Sequence, residues 1–269
     1  MKIPDKTAHY FTLALQGCVI AGGAIFWKYS DRWTGKFEKD NEGYFRSNSD
    51  NGGADKLGHA YSWHLMTRAA ISIYERRGFS KRESVLWGIT FPSLNGVLVE
   101  LLDGYTTNGA STEDILFNLI GSGSAAFLYL NPKIDDTFHL AWSYWPSKEL
   151  SLYPVENDIT TDYSGQMFSL EMNFAGLKRL VHFEKIPVMD YFQLGLSYYA
   201  RGYRKTAISN KERFAGITLG INFQEFLKEN SRLRQFAKYY KLPFSFIGVF
   251  KNLENNQYEF KVGMQVFSY

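Results

Sequence analysis

Cysteine is almost absent from this sequence, since Cys18 is the single cysteine among 269 residues. One cysteine cannot form an intramolecular disulfide framework, and it cannot supply a cysteine-ligated zinc site. The sequence also lacks a strong excess of either charge, because 30 basic side chains balance 27 acidic ones and the net charge is +3. No basic run is interleaved with aromatic residues, so the sequence argues against nucleic acid as a partner.

Other signatures are missing as well. The mean hydropathy of −0.27 excludes a protein made mainly of membrane-spanning helices, but a β-barrel stays open because its apolar and polar residues alternate. The chain has no phosphate-binding P-loop and no G-x-S-x-G nucleophile elbow. Aromatic residues, in contrast, make up 17% of the chain, which is typical of strand-rich and membrane-interface proteins.

The one long apolar run lies near the start of the sequence. Residues 7–27 carry no charge apart from any on His9, and this length can span a bilayer. Within the run, residues 15–18 (LQGC) are similar to a lipoprotein-processing site, which makes Cys18 a candidate for lipidation. The apolar stretch continues beyond Cys18. A buried core helix, an uncleaved anchor and cleavage at Cys18 are therefore the three alternatives.

Polar residues at helical spacing mark the stretch from Gly53 to Gly121. Apolar periodicity predicts helices over 55–76, 81–103 and 111–130, with a kink or break near Phe91 because Pro92 follows. Each helix carries a polar pair or row at single-turn spacing. These are Asp55 with His59, Glu100 with Asp103, and Asp114 with Asn118 and Ser122. A buried polar group without a partner costs about 1–3 kcal/mol, so we expect the three rows to face one another in one cluster.

The residue types in this cluster suit acid–base chemistry or ligand binding. His59 would act as general base or acid, oriented by Asp55, with Glu100, Asp103 and Asp114 as acid/base groups or metal ligands. We expect Lys56, at the edge of the cluster, Asn118 and Ser111 to bind a ligand. Ser111 also fits a helix-capping position before Asp114. The metal-ligand candidates are Asp103, His59 and Glu100, but no H-E-x-x-H or other dense ligand motif is present. No cofactor is identified.

The same stretch resembles a known family. ADKLGHAYSWHLMTR, GFSKRES and ELLDGYTTNGASTEDILFNLIG are similar to the uncharacterised predicted periplasmic lipoproteins typified by YfiM. The matching positions are Asp55, Lys56, His59, Gly78, Ser80, Glu100, Asp103, Asp114, Asn118 and Gly121. A more distant resemblance to VanZ-like membrane proteins covers only the D-K-x-x-H opening and the S-x-x-D-x-x-x-N close. The resemblance implies a bacterial cell-envelope protein of the outer membrane or periplasm and brings no activity with it.

After Asn131-Pro132 the apolar period changes from helical to twofold. Alternating segments predict at least six strands, at 137–144, 168–174, 192–198, 215–221, 244–251 and 260–266. A basic amphipathic helix is predicted at 224–241. The alternation and the aromatic end at residues 267–269 favour a small outer-membrane barrel, although a bacterial single-chain barrel has at least eight strands. A soluble sheet that covers the helices is the alternative.

These patterns predict an α+β protein with two domains. Residues 1–132 would form a bundle of about four helices, and residues 133–269 an antiparallel β domain. Three functions fit: a membrane-associated envelope protein with a helical packing or partner-binding module, an envelope enzyme acting on a lipid or phosphate ester, and a small-ligand or lipid binder. The first ranks ahead because no nucleophile is identifiable, and the expected partners are the membrane and an envelope protein or lipid. Whether the protein is an enzyme and its oligomeric state stay open.

Overall fold

The predicted α+β class is confirmed by the computed structural model, which describes residues 4–26, 28–152, 159–181, 187–203, 210–229 and 231–267. The chain divides into two compact units. The first comprises Met1–Glu42 and Lys56–Leu130, and the second comprises Gly43–Asp55 and Asn131–Tyr269.

Helices dominate the first unit. Its elements are α1 (Thr7–Phe26), α2 (Tyr29–Arg32), β1 (Lys39–Asp40), α3 (Ala54–Arg76), α4 (Lys81–Asp103), β2 (Ala110–Ser111) and α5 (Thr112–Leu130). The predicted bundle of about four helices corresponds to α1, α3, α4 and α5. Residues 29–53, which are polar and rich in Asn, Asp and Gly, include α2 and β1, and β1 pairs in parallel with β2.

The start of α4 follows from its local sequence. Ser80 accepts a hydrogen bond from the Glu83 amide, and the Glu83 carboxylate accepts one from the Ser80 amide, so the two form a capping box. The helix then continues through Pro92, so a break there is excluded, and the alternative of a kink stays a prediction. Trp63 Nε1 of α3 donates to the Pro92 carbonyl at 2.8 Å, so α4 packs against α3 at the proline.

Two glycines let the long helices approach closely. A Cβ on Gly96 of α4 would lie 2.5 Å from Trp63 Nε1 and 2.9 Å from the Asn118 Cβ. A Cβ on Gly121 of α5 would lie 2.1 Å from the carbonyl oxygen of Ala60. All three distances are shorter than real Cβ contacts, so α3, α4 and α5 approach this closely only because glycine has no side chain. This approach brings the polar rows of the three helices together.

The second unit is built on a sheet. Its elements are α6 (Pro132–Thr137), β3 (Phe138–Tyr144), α7 (Lys148–Leu152), β4 (Gln166–Asn173), α8 (Phe174–Val181), β5 (Phe192–Arg201), β6 (Glu212–Ile221), α9 (Arg232–Tyr239), β7 (Phe246–Asn252) and β8 (Tyr258–Val262). Short 3₁₀ turns lie at Tyr163–Gly165, Pro187–Tyr191, Phe223–Phe226 and Gly263–Val266. All six predicted strands are present, in an antiparallel sheet of order β3-β4-β5-β6-β7-β8.

Two local predictions in this unit are wrong. The last strand ends at Val262, because Gly263 takes a positive φ of 43° and opens a 3₁₀ turn that contains Met264 and Val266. The amphipathic helix predicted at 224–241 is shorter, since α9 begins only after Ser231, whose hydroxyl accepts from the Arg234 amide at 3.1 Å. Of the aromatic C-terminal end, Ser268 and Tyr269 lie outside the described residues.

The two faces of the sheet differ sharply in polarity. Register places one apolar row across all six strands, formed by Leu140, Leu170, Leu196, Ile217, Val249 and Phe260. A second row contains Phe138, Met172, Leu194, Leu219, Ile247 and Val262. Leu196 is 60% exposed and Phe260 is 62% exposed. The opposite face is buried although it carries polar residues, among them Ser169, Glu171, Gln193, Ser197 and Thr218.

Among the residues that the structure describes, two helices are long and apolar enough to cross a membrane by length and composition, at Thr7–Ile25 and Lys81–Asp103. Core helices of soluble proteins and signal sequences meet the same criteria. Cys18 lies within α1 and is exposed.

Candidate functional site

The predicted polar residues of three helices converge inside the first unit. Lys56 and His59 come from α3, Glu100 comes from α4, and Asp114 and Asn118 come from α5. Glu100 and Asn118 are each 1% exposed, whereas the His59 side chain is 23% exposed. The cluster is therefore buried on the side of α4 and α5 and reachable through His59.

A chain of hydrogen bonds orients His59. Asn118 Nδ2 donates to the Gly96 carbonyl at 3.3 Å, so the amide oxygen of Asn118 faces His59. That oxygen lies 2.9 Å from His59 Nδ1 and can only accept. Nδ1 therefore donates this hydrogen bond, and Nε2 is left for a second partner.

Carboxylates lie close to both ring nitrogens of His59. Nε2 is 3.6 Å from Asp114 Oδ1, and Nδ1 is 3.9 Å from Glu100 Oε1. The ring stacks on Trp63 with centroids 5.6 Å apart and an interplanar angle of 15°. Trp63 therefore limits the movement of the imidazole and holds it between the two carboxylates.

Lys56 lies inside this arrangement, so its predicted position at the edge is wrong. Its side chain is 1% exposed and its ammonium donates to Asp114 Oδ1 at 2.8 Å. It also forms an ion pair with Glu42. Sequence analysis missed Glu42 because it lies in a polar segment, 14 residues before Lys56, without the periodicity that marked the other residues.

The surroundings of Glu100 favour its neutral form. Burial raises the pKa of Glu100 to about 9, and the nearby carboxylates of Asp114 and Asp103 act in the same direction. One oxygen, Oε2, accepts a hydrogen bond from the Ser111 amide at 3.4 Å. Within the described residues, the other oxygen, Oε1, has no hydrogen-bond partner.

The pKa of Asp114 is shifted in the opposite direction. Burial alone would raise the pKa of its carboxyl, but the neighbouring His59 and Lys56 outweigh burial and hold that pKa below its usual value. The Asp114 backbone amide donates to Ser111 Oγ at 3.1 Å, as predicted for a helix cap. One carboxyl is thus held ionised close to a second that is held neutral.

Asp103 lies one turn beyond Glu100 and binds different partners. Its Oδ1 accepts a hydrogen bond from the Tyr29 hydroxyl at 2.6 Å and one from Asn108 Nδ2 at 3.3 Å. Burial raises the pKa of Asp103. Tyr29 was not predicted for the site, since it lies in a polar segment without apolar periodicity.

Asp55 is grouped with the second unit and lies in the first turn of α3. Asn51 Nδ2 donates to Asp55 Oδ2 at 3.4 Å. An acidic side chain in the first turn of a helix is stabilised by the positive end of the helix dipole. The orienting role of Asp55 toward His59 stays a prediction, as do the catalytic roles of the other residues.

The arrangement offers three chemical capabilities. It places an imidazole nitrogen 3.6 Å from the Asp114 carboxylate, it keeps the Glu100 carboxyl, whose pKa is raised, within 4 Å of the same ring, and it groups ligand atoms for a cation. One ligand atom from each of His59, Glu100 and Asp114 lies within 4.8 Å of the other two. Asp114 therefore takes the place that the sequence interpretation gave to Asp103 among the candidate metal ligands.

Comparison with known proteins agrees with the motifs. No curated protein and no solved structure matches the chain. The VanZ-like resemblance receives no support from these comparisons. The match that was found supports the predicted location in the bacterial envelope, and it covers the α3–α5 cluster residues together with Glu42. Residues 41–130 match the family described as "Predicted periplasmic lipoprotein (DUF2279)", and the resemblance to that uncharacterised family is confirmed.

Proposed function

We propose that the protein is a membrane-associated component of the bacterial outer envelope, in which the sheet contacts lipid and the helical unit binds a partner. The observation that carries this proposal is the inverted polarity of the sheet. In a soluble protein the apolar face of a sheet is buried and the polar face is solvated. Here the apolar face is exposed and the polar face is buried.

The apolar rows have the form of a lipid-facing band. Leu170, Leu196, Ile217, Val249 and Phe260 lie side by side across five strands, and each is at least 43% exposed. Burying one such side chain stabilises a protein by about 1.5–3 kcal/mol relative to leaving it in water. A continuous exposed band of this kind marks an interaction surface. Strands β5 and β6 have 10 residues each, which suits a bilayer-spanning strand of about 9–11 residues.

The buried face carries the polar network that the interior of such a structure requires. Lys241 Nζ lies 2.7 Å from Glu171 Oε1 and 2.7 Å from Thr218 Oγ1. Ser197 Oγ lies 2.9 Å from Ser169 Oγ and 3.1 Å from Thr218 Oγ1. Except for Glu171 Oε2, which has no hydrogen-bond partner within the described residues, these side-chain atoms bind one another away from water, whereas the apolar face needs an apolar cover.

The edge of the sheet at β3 is partly covered. The backbone amide of Lys241 donates to the Trp142 carbonyl at 2.9 Å, and Trp142 bridges to Tyr240. This pairing satisfies backbone groups that would be costly to expose in lipid. The barrel alternative stays a prediction.

The helical unit also exposes apolar side chains. Leu94, Leu98 and Leu101 form a stripe on α4 and are each at least 44% exposed. Their spacing places them on one helix face, which a solvated helix would normally fill with polar residues. This stripe supports a partner-binding role for the helical unit.

Matched labels on the two faces of β5 and β6 test the lipid contact. In a Cys18→Ser background, single cysteines at Leu196 and Ile217 report on the apolar face, and cysteines at Ser197 and Thr218 report on the buried polar face one residue away. Each variant is labelled with an environment-sensitive fluorophore and reconstituted in vesicles that contain brominated lipid. We expect lipid quenching at positions 196 and 217 and none at 197 and 218.

Equal quenching of both faces, or full quenching of positions 196 and 217 by aqueous iodide in the vesicle-bound protein, would refute the proposal. Vesicle flotation of the same samples establishes that the protein is bound. Recovery of the native protein wholly in the cytosol of its host would refute the envelope location as well.

A further inference from the structure

We propose that His59, Glu100 and Asp114 bind one divalent transition-metal ion, such as Zn²⁺. One nitrogen and two carboxylate ligands form a donor set that zinc accepts, and three protein ligands would leave a coordination position open. The inference goes beyond the membrane association proposed above and does not depend on it.

The first argument comes from the orientation of His59. Its Nδ1 donates to Asn118 Oδ1 at 2.9 Å, so Nε2, which lies 3.6 Å from Asp114 Oδ1, is the ring nitrogen left to ligate a cation. A histidine that ligates a metal commonly donates its other ring N–H to a fixed acceptor, which is the relation that His59 has with Asn118.

The second argument is independent and comes from Glu100. The Glu100 side chain is 2% exposed, and its Oε1 has no hydrogen-bond partner within the described residues. This oxygen lies 3.9 Å from His59 Nδ1, and Glu100 belongs to the group whose ligand atoms lie within 4.8 Å of one another. A buried carboxylate oxygen without a partner is costly, and a cation bound between these three residues would satisfy it.

The distances require only a small adjustment. Zinc–nitrogen and zinc–oxygen bonds of about 2.0–2.2 Å place tetrahedral ligand atoms on the order of 3.3–3.6 Å apart. The His59 Nε2–Asp114 Oδ1 pair, at 3.6 Å, already fits, and the other separations, which do not exceed 4.8 Å, contract into this range. His59 can move for this purpose because 23% of its side chain is exposed, which also gives an ion a route from solvent.

Neighbouring charges define which carboxylates belong to the site. Lys56 donates to Asp114 Oδ1 and to Glu42, and it therefore orients Asp114 while it offsets part of the negative charge. Asp103 instead accepts hydrogen bonds from Tyr29 and Asn108. The geometry thus assigns Asp103 no ligand role, although it lies only one helical turn from Glu100.

Metal titration of the purified full-length chain tests this assignment. Isothermal titration with Zn²⁺ and elemental analysis after dialysis should give one ion per chain for the wild type. Glu100→Gln and His59→Ala should abolish stoichiometric binding, while Asp103→Asn is the matched control that should retain it. Asn118→Ala removes the acceptor that orients His59 and should weaken zinc affinity by about 10–100-fold.

Thermal denaturation with and without Zn²⁺ keeps the test decisive if a variant is less stable. Zn²⁺ should raise the melting temperature of the wild type and of Asp103→Asn, and it should leave that of Glu100→Gln unchanged. Wild-type protein that binds no zinc, or zinc binding that is equal in the wild type and Glu100→Gln, overturns the proposal. Loss of binding in Asp103→Asn with retention in Glu100→Gln overturns the ligand assignment.

Discussion

Replacing Lys241 by methionine tests whether the buried face of the sheet is held by charge pairing. The side chain of Lys241 is 1% exposed and that of Glu171 is 0% exposed, with 2.7 Å between ammonium and carboxylate. Methionine keeps an unbranched apolar stem of similar length but removes the charge. The substitution therefore leaves Glu171 buried without its counter-charge and Thr218 without its hydrogen bond to the ammonium.

The expected loss follows from the burial of the pair. Removing one partner of a buried ion pair costs about 3–5 kcal/mol, because the remaining charge is desolvated without compensation. Removing both charges in Lys241→Met with Glu171→Gln should recover a large part of this loss, because no unpaired charge then remains. The two single substitutions are thus strongly non-additive, as expected for residues in direct contact.

Urea unfolding in detergent micelles measures the effect. Fluorescence of Trp142 and Trp145 reports on the second unit, in which both residues lie. Lys261→Met is the matched control, since Lys261 pairs with Glu259 at 2.6 Å but the two side chains are 22% and 33% exposed. A partly exposed pair contributes about 0–1 kcal/mol, so this control should unfold almost like the wild type.

Two results would refute the reasoning. If Lys241→Met lowers the free energy of unfolding by no more than the Lys261→Met control, the buried pair does not stabilise the sheet. If the double variant loses the sum of the two single losses, Lys241 and Glu171 act separately, and the polar network does not explain the buried face.

Three further predictions concern the first unit. Gly96→Ala should destabilise the first unit by about 1–3 kcal/mol, because the added Cβ would meet Trp63 and Asn118. Gly123→Ala is the control: with nothing within 4 Å of its Cβ, it should be neutral or stabilise α5 by up to about 1 kcal/mol. Equal melting temperatures of the two variants would contradict this prediction. Hydrogen bonds from the Thr7 amide and hydroxyl, and then from Arg77, lower the pKa of Asp5 from 3.8 to about 2. Its contribution to stability is therefore complete above the unfolded value and is lost as the pH falls through about 2; a carboxyl titration by NMR with a midpoint near 4 would contradict it. Residues before Cys18 anchor α1, since Asp5 pairs with Arg77 at 2.6 Å and the Gln16 carbonyl accepts from Asn95 at 3.2 Å. We expect intact-mass spectrometry to show them retained, and a chain that begins at an acylated Cys18 would disprove this.

Sequence patterns determined the secondary structure because their signals are local. A 3.6-residue apolar period placed α3, α4 and α5 within a residue or two of their observed bounds. Twofold alternation placed all six strands, because successive side chains of a strand point to opposite faces whatever the strand packs against. The incorrect element bounds also have local causes. Gly263 ends the last strand although the apolar alternation continues beyond it, and the cap at Ser231 starts α9 although the amphipathic pattern begins earlier.

The candidate site was predictable only in part. Single-turn spacing identified His59, Glu100, Asp114 and Asn118, because a polar row on an apolar helix is visible in the sequence. Which carboxylate faces His59 depends on how α4 and α5 rotate about their axes, and the close contact at Gly96 sets that rotation. Spacing alone could therefore not separate Asp114 from Asp103.

Tertiary structure alone decided two features of this protein. Glu42 reaches Lys56 from a segment without periodicity, and only folding brings that ion pair together. Alternation along the strands shows that the sheet has one apolar and one polar face, but it does not show which face points outward. That choice follows from what covers the sheet, because Lys241 enters the polar face from a separate segment and pairs there with Glu171, while the row through Leu196 is left exposed.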